Sequence, residues 1–409
     1  MHHVPVNQAK SLSNAMAKSH KPTTPDAVIF GAGIAGLWTF HRLKKLGFDV
    51  LLLEKNTIGC GQTIASQGII HSGLKFSLAG KVNALAKSIS AMPDLWRDAL
   101  NGQGDVDLSA ASMNAPSQQL LIPRGLFGNL GKLAAQKALG KTVHDIPRQE
   151  WGADIKNSGF DGSVVFMGEP ILNIPTVIRA LAAPYKDCIK TLTDEQAGNP
   201  IEYLKEHNIS PKCTIFTSAQ SNAVIAAHNN HAKGLETQAR PLLQGMLKPA
   251  PFPLFAHLVG KTDKPLISIT THKAEDGTLV WYLGGRVAER TKESNPQDVY
   301  KDALKAFQSH LPNVDFSNVQ WAVLPIDRIE GKSKTDGWMP DTPTIHRAEN
   351  TLYCWPTKLT FAPLLSDMIL KELAAQHIEP SHTSSDFSFM QDADYAKTPW
   401  DTAKWTTLN

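Results

Sequence analysis
The stretch VIFGAGIAGLW, Val28 to Trp38, constrains the fold more than any other part of the chain. Ala27–Phe30 is a short apolar run of the kind that forms a buried parallel strand. Gly31, Gly33 and Gly36 follow at once. A helical repeat comes next, with Ile34, Leu37, Phe40 or His41, Leu43 and Leu46 recurring every three to four residues, and Gly47 falls where a helix stops. DVLLLEK then reads as a second buried strand ending on Glu54. Gly31 permits a tight turn, Gly33 lets backbone approach a pyrophosphate without a Cβ in the way, and Gly36 lets the helix pack closely on the strand. The free N–H groups and the dipole at the helix start favour the anion, so Ile34 and Ala35 join the glycines as phosphate-binding candidates. Glu54 lies 18 residues beyond Gly36, close to the ~20 expected of an acid that binds a ribose hydroxyl. Such an acid disfavours a 2′-phosphate, so NADP is not expected. Strand, glycine turn, helix, strand and acid together specify an ADP cradle, with Lys55 beside the acid.

The bulk properties narrow the class. At 409 residues the chain is long enough for two or more domains. Its net charge is only +3 and its lysines and arginines are spread along the chain, which argues against a nucleic-acid partner. Cys60, Cys188, Cys213 and Cys354 are far apart and form no CxxC pair, against a zinc site or a disulfide framework and in keeping with a reducing compartment. The first 25 residues are polar, with Lys10, Lys18 and Lys21 and no apolar run, unlike a secretory signal. The longest apolar candidate, PLLQGMLKPAPFPLFAHLVG, is interrupted by Lys248 and by later prolines, so no transmembrane segment is expected. The expectation is a soluble cytoplasmic protein, with peripheral membrane contact left open.

An ADP cradle alone does not separate NAD from FAD. The next segment, GCGQTIASQGIIHSGLKF, is rich in glycine and small polar residues where a simple NAD dehydrogenase would continue with another crossover unit. With it the chain resembles the FAD-dependent oxidoreductases of the D-amino-acid oxidase superfamily, nearest the glycerol-3-phosphate and L-2-hydroxyglutarate dehydrogenase branch, whose corresponding segment reads much like GQT..S.G.IHSG. EPILNIPTVIRALA is similar to that family's central strand and following helix, LVWYLGGRVAER to a substrate-domain strand, and GWMPDTPTIHRAENTLYCWPTKLTFAPLLSDMI to its C-terminal return to the flavin. The resemblance spans about 26–377. It departs at three places. Ala219 or Gln220 stands where an AAG turn would put glycine. Pro325 in VLPIDR replaces the arginine of an LRP motif, leaving Arg328 as the nearest. WPTKLTFAP replaces a glycine-rich loop.

The resemblance implies an α/β fold: a Rossmann-type FAD-binding domain interleaved with an α+β substrate domain built on an antiparallel sheet. The FAD part would take 26–100, 161–235 and 326–380, and the substrate part 101–160 and 236–325, leaving 1–25 and 381–409 as polar tails, the latter loosely ordered. Within the second block PLISITTH, EDGT and LVWYLGGRV form a hairpin pattern with Asp276-Gly277 at its turn. FAPLLSDMILKELAAQH reads as a helix with Pro363 in its first turn. In the resembled family that helix points its N-terminus at the flavin pyrimidine, where its dipole and Lys358 would stabilise reduced flavin.

The resemblance therefore implies FAD, held without a covalent bond because no attachment motif surrounds Cys60. Gln62, Thr63, Ser66, Gln67 and Gly68 would approach the flavin from one side, and Lys358, Leu359 and Thr360 from the other; Gly73 lies in the first of these segments. His71 would serve as a base or hydrogen-bond donor, or else as a structural histidine on a backbone carbonyl. Arg328 would hold a substrate carboxylate or phosphate through its bidentate fork, or pair with Asp327 or Glu330. His272 would line the pocket or end its strand as a satisfied histidine. Arg286 is a pocket or surface residue. Trp281, Trp321, Trp338 and Trp355 read as core or interdomain residues, with flavin cover by one of them the alternative. The implied reaction oxidises a C–H bond next to a hydroxyl or amine of a small anion (a 2-hydroxy acid, an amino acid or glycerol 3-phosphate) by hydride transfer to flavin N5, with oxygen or a quinone as final acceptor. An NAD-linked dehydrogenase and a non-catalytic flavin-binding subunit are the alternatives.

Overall fold
The structure, a computed structural model, describes residues 22–72, 89–126, 143–262, 264–332, 340 and 342–407. Gly73 and Trp338 lie outside these residues. The first glycine motif sits between strand β1 (Ala27–Phe30) and helix α1 (Ile34–Lys45), and β2 (Val50–Glu54) follows. All nine residues of these two strands are buried, as apolar strands covered on both faces must be. Gly47, at φ +90, turns the chain after α1.

A six-stranded sheet has the order β15-β16-β9-β1-β2-β8, where β8 is Ile189–Thr191, β9 Cys213–Phe216, β15 Thr344–Ala348 and β16 Thr351–Trp355. It is parallel apart from β15, which runs antiparallel to β16. Helices α1, α3 (Ile174–Ala182) and α6 (Ala362–Ala375), with α2 (Met92–Leu100), build the core on one face through Leu37, Trp38, Trp96, Ile178, Leu365 and Ile369. The opposite face is covered by Tyr203, Leu204, Ile209, Ile225 of α4 (Gln220–His228), Phe387 and Met390. Sheet with cover on both faces is the doubly wound arrangement.

The second sheet has nine strands in the order β17-β14-β10-β13-β12-β11-β4-β6-β5. These are β4 (Gln119–Pro123), β5 (His144–Ile146), β6 (Gly162–Phe166), β10 (Thr237–Lys248), β11 (Ala256–Leu258), β12 (Ile267–Lys273), β13 (Leu279–Gly284), β14 (Gln320–Gly331) and β17 (Thr406–Thr407). Only the β4–β11 pair is parallel. The expected hairpin is present as β12–β13, with Gly277 at φ +86 in its turn. Helix α5 (Pro296–His310), capped by Asn295 Oδ1 accepting from Gln297 N at 3.0 Å, packs on β10 and β14 through Val299, Ala303 and Phe307. A small ribbon pairs β3 (Met113–Ala115) with β7 (Ile171–Leu172).

The two sheets divide the chain at other places than the sequence pattern suggests. A cut at 325/326 falls inside β14, which pairs with β10 along its whole length from Thr237↔Gly331 to Lys248↔Gln320. Residues 162–166 form β6 and belong to the second sheet, not the first. Residues 381–407 are not a loose arm, since Phe387, Met390, Ala393 and Trp400 are buried.

Candidate functional site
A cleft of about 740 Å³ opens between the two sheets, at the carboxyl ends of β1 and β9 and against β10 and β14. Such a crevice is where doubly wound sheets bind ligands. Gly31, Gly33, Ile34, Ala35, Glu54, Lys55, Gln62, Thr63, Ser66, Gln67, Gly68, His71, Arg328, Lys358, Leu359 and Thr360 all line it. Gly36 does not; its place is under the turn, where a Cβ would lie 1.9 Å from Gly31 O. At Gly33 a Cβ would meet only Thr63 Oγ1, at 3.2 Å, so its bare backbone faces the open cleft. Gly31 holds φ +102, a conformation L side chains avoid.

The cradle is braced by side chains behind it. Glu54 Oε2 accepts from Ala32 N at 2.7 Å and Oε1 from Asn56 N at 2.9 Å. Thr63 Oγ1 accepts from Ile34 N at 2.8 Å, and Thr217 Oγ1 donates to Gly31 O at 2.8 Å. Lys55 stands at the rim, 3.5 Å from exposed Asp194. Cys60 Sγ lies 3.7 Å from Glu54 Oε1; burial and then the Glu54 charge push its thiol up to about 11, so it stays protonated.

The 62–72 segment crosses from the first sheet to the second. Gln67 Nε2 donates to Tyr282 O (2.9 Å) and Ser268 O (3.1 Å), and Gln62 Oε1 accepts from Ile329 N at 3.3 Å. Gly68, at φ +74, lies where a Cβ would be 2.3 Å from Leu172 O. Ser66 Oγ lines the cleft, is buried, and has no hydrogen-bond partner among the described residues. From the opposite wall Thr360 Oγ1 accepts from His71 N at 3.3 Å, and Thr360 O accepts from Trp96 Nε1 at 3.1 Å. His71 Nδ1 is 3.2 Å from Glu169 Oε2, a carboxylate. Of the tryptophans, Trp355 lines the cleft and donates Nε1 to Ala219 O at 3.1 Å, whereas Trp281 and Trp321 are buried in the second core.

At the far end Arg328 and Arg240 face each other across β14 and β10. Arg240 is committed to Glu330, a fully buried acid, through both Nε and Nη2. Arg328 has a looser hold: its nearest carboxylate is Glu289, at 3.7 Å, and its Nε donates to Arg240 O at 3.3 Å. Burial first, and then the neighbouring Arg240 charge, bring the Arg328 guanidinium down to about 10. Among the sequence candidates, His272 is not brought to this cleft. It stacks on Trp400 (centroids 4.3 Å apart) and bonds Thr270 Oγ1 at 2.9 Å, and burial drives it down to about 3. His272 lies farther along β12 than Ser268 and Thr270, the two residues there that Gln67 reaches. Arg286 likewise lines a separate cavity, with Glu289 and Arg290.

The comparisons with known proteins agree with one another. Residues 26–187 match the family model described as DAO, FAD dependent oxidoreductase. The chain is 34% identical over 368 residues to the probable FAD-dependent oxidoreductase PA4991 of Pseudomonas aeruginosa, a match covering 87% of this chain and 92% of that protein. The chain belongs to the FAD-dependent oxidoreductases of the D-amino-acid oxidase superfamily. The crystal structure of PA4991 superposes with a TM-score of 0.77 at 27% identity, covering 93% of this chain and 99% of that one. More distant folds include glycine oxidase from Geobacillus kaustophilus, with a TM-score of 0.57 at 15% identity over 86% of this chain and 95% of that one. Dithionite-reduced L-α-glycerophosphate oxidase from Mycoplasma pneumoniae, with FAD bound, gives a TM-score of 0.59 at 14% identity over 86% and 95%. The protein is an FAD-dependent enzyme, and NAD-linked chemistry is set aside.

The cleft fits FAD. The bare backbone at Gly33 leaves open space where a side chain would stand, the left-handed turn at Gly31 shapes that space, and the buried Ser66 hydroxyl has no hydrogen-bond partner among the described residues. Three contributors escaped the sequence pattern: Arg240, Glu169 and Gln244. Arg240 and Gln244 lie on β10 and line the cleft beside β14, and Glu169, the first residue of EPILNIPTVIRALA, meets His71 through a loop contact. No helix among the described residues is long and apolar enough to cross a membrane.

Proposed function
We propose that the enzyme oxidises a C–H bond adjacent to a hydroxyl or amine of a small anion, a 2-hydroxy acid, an amino acid or glycerol 3-phosphate. Gly31, Gly33, Ile34, Ala35 and Gly36 shape the pyrophosphate cradle, and Glu54 and Lys55 the ribose end. Gln62, Thr63, Ser66, Gln67 and Gly68 from one wall of the cleft and Lys358, Leu359 and Thr360 from the other would hold the flavin ring system. The bound flavin supplies a hydride acceptor at N5. His71 takes the hydroxyl or ammonium proton of the substrate as its carbon loses hydride, so that a carbonyl or imine leaves. Oxygen or a quinone accepts the electrons afterwards.

The observation that carries the substrate class is Arg328. A guanidinium that lines the cleft, beside a second guanidinium and with its nearest carboxylate at 3.7 Å, is short of negative charge. A substrate carboxylate or phosphate would restore it through two parallel hydrogen bonds. Arg240 is already paired with Glu330 and acts as a neighbouring positive charge. Two structures of similar fold are named glycine oxidase and L-α-glycerophosphate oxidase, one for an amine and one for an alcohol, which supports keeping both in the substrate class. The test is anaerobic mixing of the yellow holoenzyme with a panel of 2-hydroxy acids, amino acids and glycerol 3-phosphate. Bleaching by an anionic member, and not by its uncharged ester or alcohol, is the expected result. A panel in which nothing bleaches the flavin, or only neutral compounds do, defeats the reading.

A further inference from the structure
His71 has a carboxylate built behind it. Glu169 sits in the turn between β6 and β7 and is only 1% exposed. Its Oε1 accepts from Ser72 N at 2.8 Å and from Ser72 Oγ at 2.9 Å, while its Oε2 lies 3.2 Å from His71 Nδ1. An ionised carboxylate only accepts hydrogen bonds, so the contact with His71 requires a proton on Nδ1. The backbone holds the pair at this distance: Ile70 N donates to Pro170 O and Leu172 N to Gly68 O, each at 2.9 Å. Fully buried His257 of β11 lies nearly parallel to the imidazole, with ring centroids 6.1 Å apart and its own Nδ1 2.7 Å from Ser268 Oγ. Arg97 brings positive charge beside Glu169, its Nη2 donating to Gly168 O, and Lys358 stands elsewhere in the cleft wall.

We propose that Glu169 is a positioning residue: it fixes His71 as the Nδ1–H tautomer and so presents Nε2, unprotonated, as the proton acceptor in the cleft. The inference rests on the reading of His71 as the acceptor. A carboxylate partner fixes a histidine tautomer and raises its basicity in the same way at metal and hydrolytic sites. His71, Glu169 and His257 also place one ligand atom each within 4.8 Å of the others, the composition of a two-histidine, one-carboxylate metal set. The experiment separates the two arrangements.

FAD-loaded protein carrying 15N-labelled histidine reports tautomer and titration of each imidazole by NMR, with H71N identifying the signals of His71. The neutral ring of wild-type His71 should carry its proton on Nδ1. In E169Q the same ring should lose proton affinity by about tenfold or more, the size expected from removing an opposite charge at this range. An Nε2–H tautomer in the wild type overturns the proposal, as does an unchanged titration in E169Q. Stoichiometric displacement of both the His71 and His257 signals by added Zn2+ also overturns it, in favour of a metal. If E169Q fails to fold, the wild-type tautomer decides alone. No substrate enters the measurement, so a panel that bleaches no flavin would strike the proposed reaction and leave this result standing.

Discussion

Single residues carry the sharpest consequences. Gly33→Val puts a side chain into the pyrophosphate space while meeting only Thr63 Oγ1, so the variant should fold and purify colourless. Gly36→Val drives the same atoms into Gly31 O and should instead lower soluble yield. Stoichiometric FAD retained by Gly33→Val would refute the cradle assignment, and absorbance at the flavin band is enough to see it. Ala219 makes a different case. It or Gln220 stands where the resembled family has glycine, and Ala219 holds φ 49 and ψ −108 at the start of α4. A non-glycine residue there costs roughly 1–3 kcal/mol, whereas glycine costs about 0.5–1 kcal/mol in unfolded-chain entropy. Ala219→Gly should therefore stabilise the protein by about 1 kcal/mol in chemical denaturation, and a destabilised variant would mean that the strain is absent. At Arg328 the loss is one of binding. Arg328→Ala should raise KM for the anionic substrate by about 10- to 100-fold, since a charge-assisted hydrogen bond contributes roughly 1.5–3 kcal/mol, with a smaller change in kcat.

At the scale of elements, β12 shows how burial makes a histidine a pH sensor of stability. His272 is neutral in the folded protein because burial holds it near 3, against 6.5 for an ordinary histidine. Its contribution is fully present above pH 6.5. As pH falls from 6.5 towards 3 the unfolded chain takes up a proton that the native state refuses, and stability drops by about 1.4 kcal/mol per pH unit. H272Q, which keeps hydrogen-bonding capacity without titrating, should show a shallower loss between pH 6.5 and 4 in urea denaturation; parallel slopes would show that His272 does not refuse the proton. The same strands show what a sequence reveals. The β1–α1–β2 unit and the β12–β13 hairpin are legible because short apolar runs and a glycine turn are local signals. β10 and β14 are not, because they line the cleft: Gln238, Arg240 and Gln244 on one, and Asp327, Arg328 and Glu330 on the other, break the apolar alternation that marks a strand. Arg240 and Arg328 become neighbours only through pairing across the whole of that register. Glu169 meets His71 through a backbone contact between distant segments, and no spacing rule announces it.

Across the whole molecule, residues 381–407 tie the two sheets together. Ser381 donates N (3.0 Å) and Oγ (2.8 Å) to Asp26 Oδ2 at the entry to β1. Ser385 Oγ donates to Asp49 Oδ2 at 2.5 Å, and Asp392 pairs with buried Lys190 of β8 at 2.6 Å. The segment then leaves the first sheet, inserts Trp400 against His272 and Tyr282, and ends as β17 on the edge of β14. A polar composition hides this, because the buried Phe387, Met390 and Trp400 stand among polar residues with no sustained apolar repeat. Trp400→Ala should cost about 3–5 kcal/mol, as a buried tryptophan does when truncated, a large part of the roughly 5–15 kcal/mol that holds a domain folded. It also opens His272 to water, so the loss should grow more slowly than wild type's as pH falls below 6.5. Because the strap grips both sheets, removal of residues 381–409 should lower both the midpoint seen by flavin fluorescence, which reports the cleft, and the midpoint seen by tryptophan fluorescence, to which both cores contribute. A truncated chain that keeps both midpoints, or a Trp400→Ala protein within about 1 kcal/mol of wild type, would show that the segment lies on the sheets without holding them.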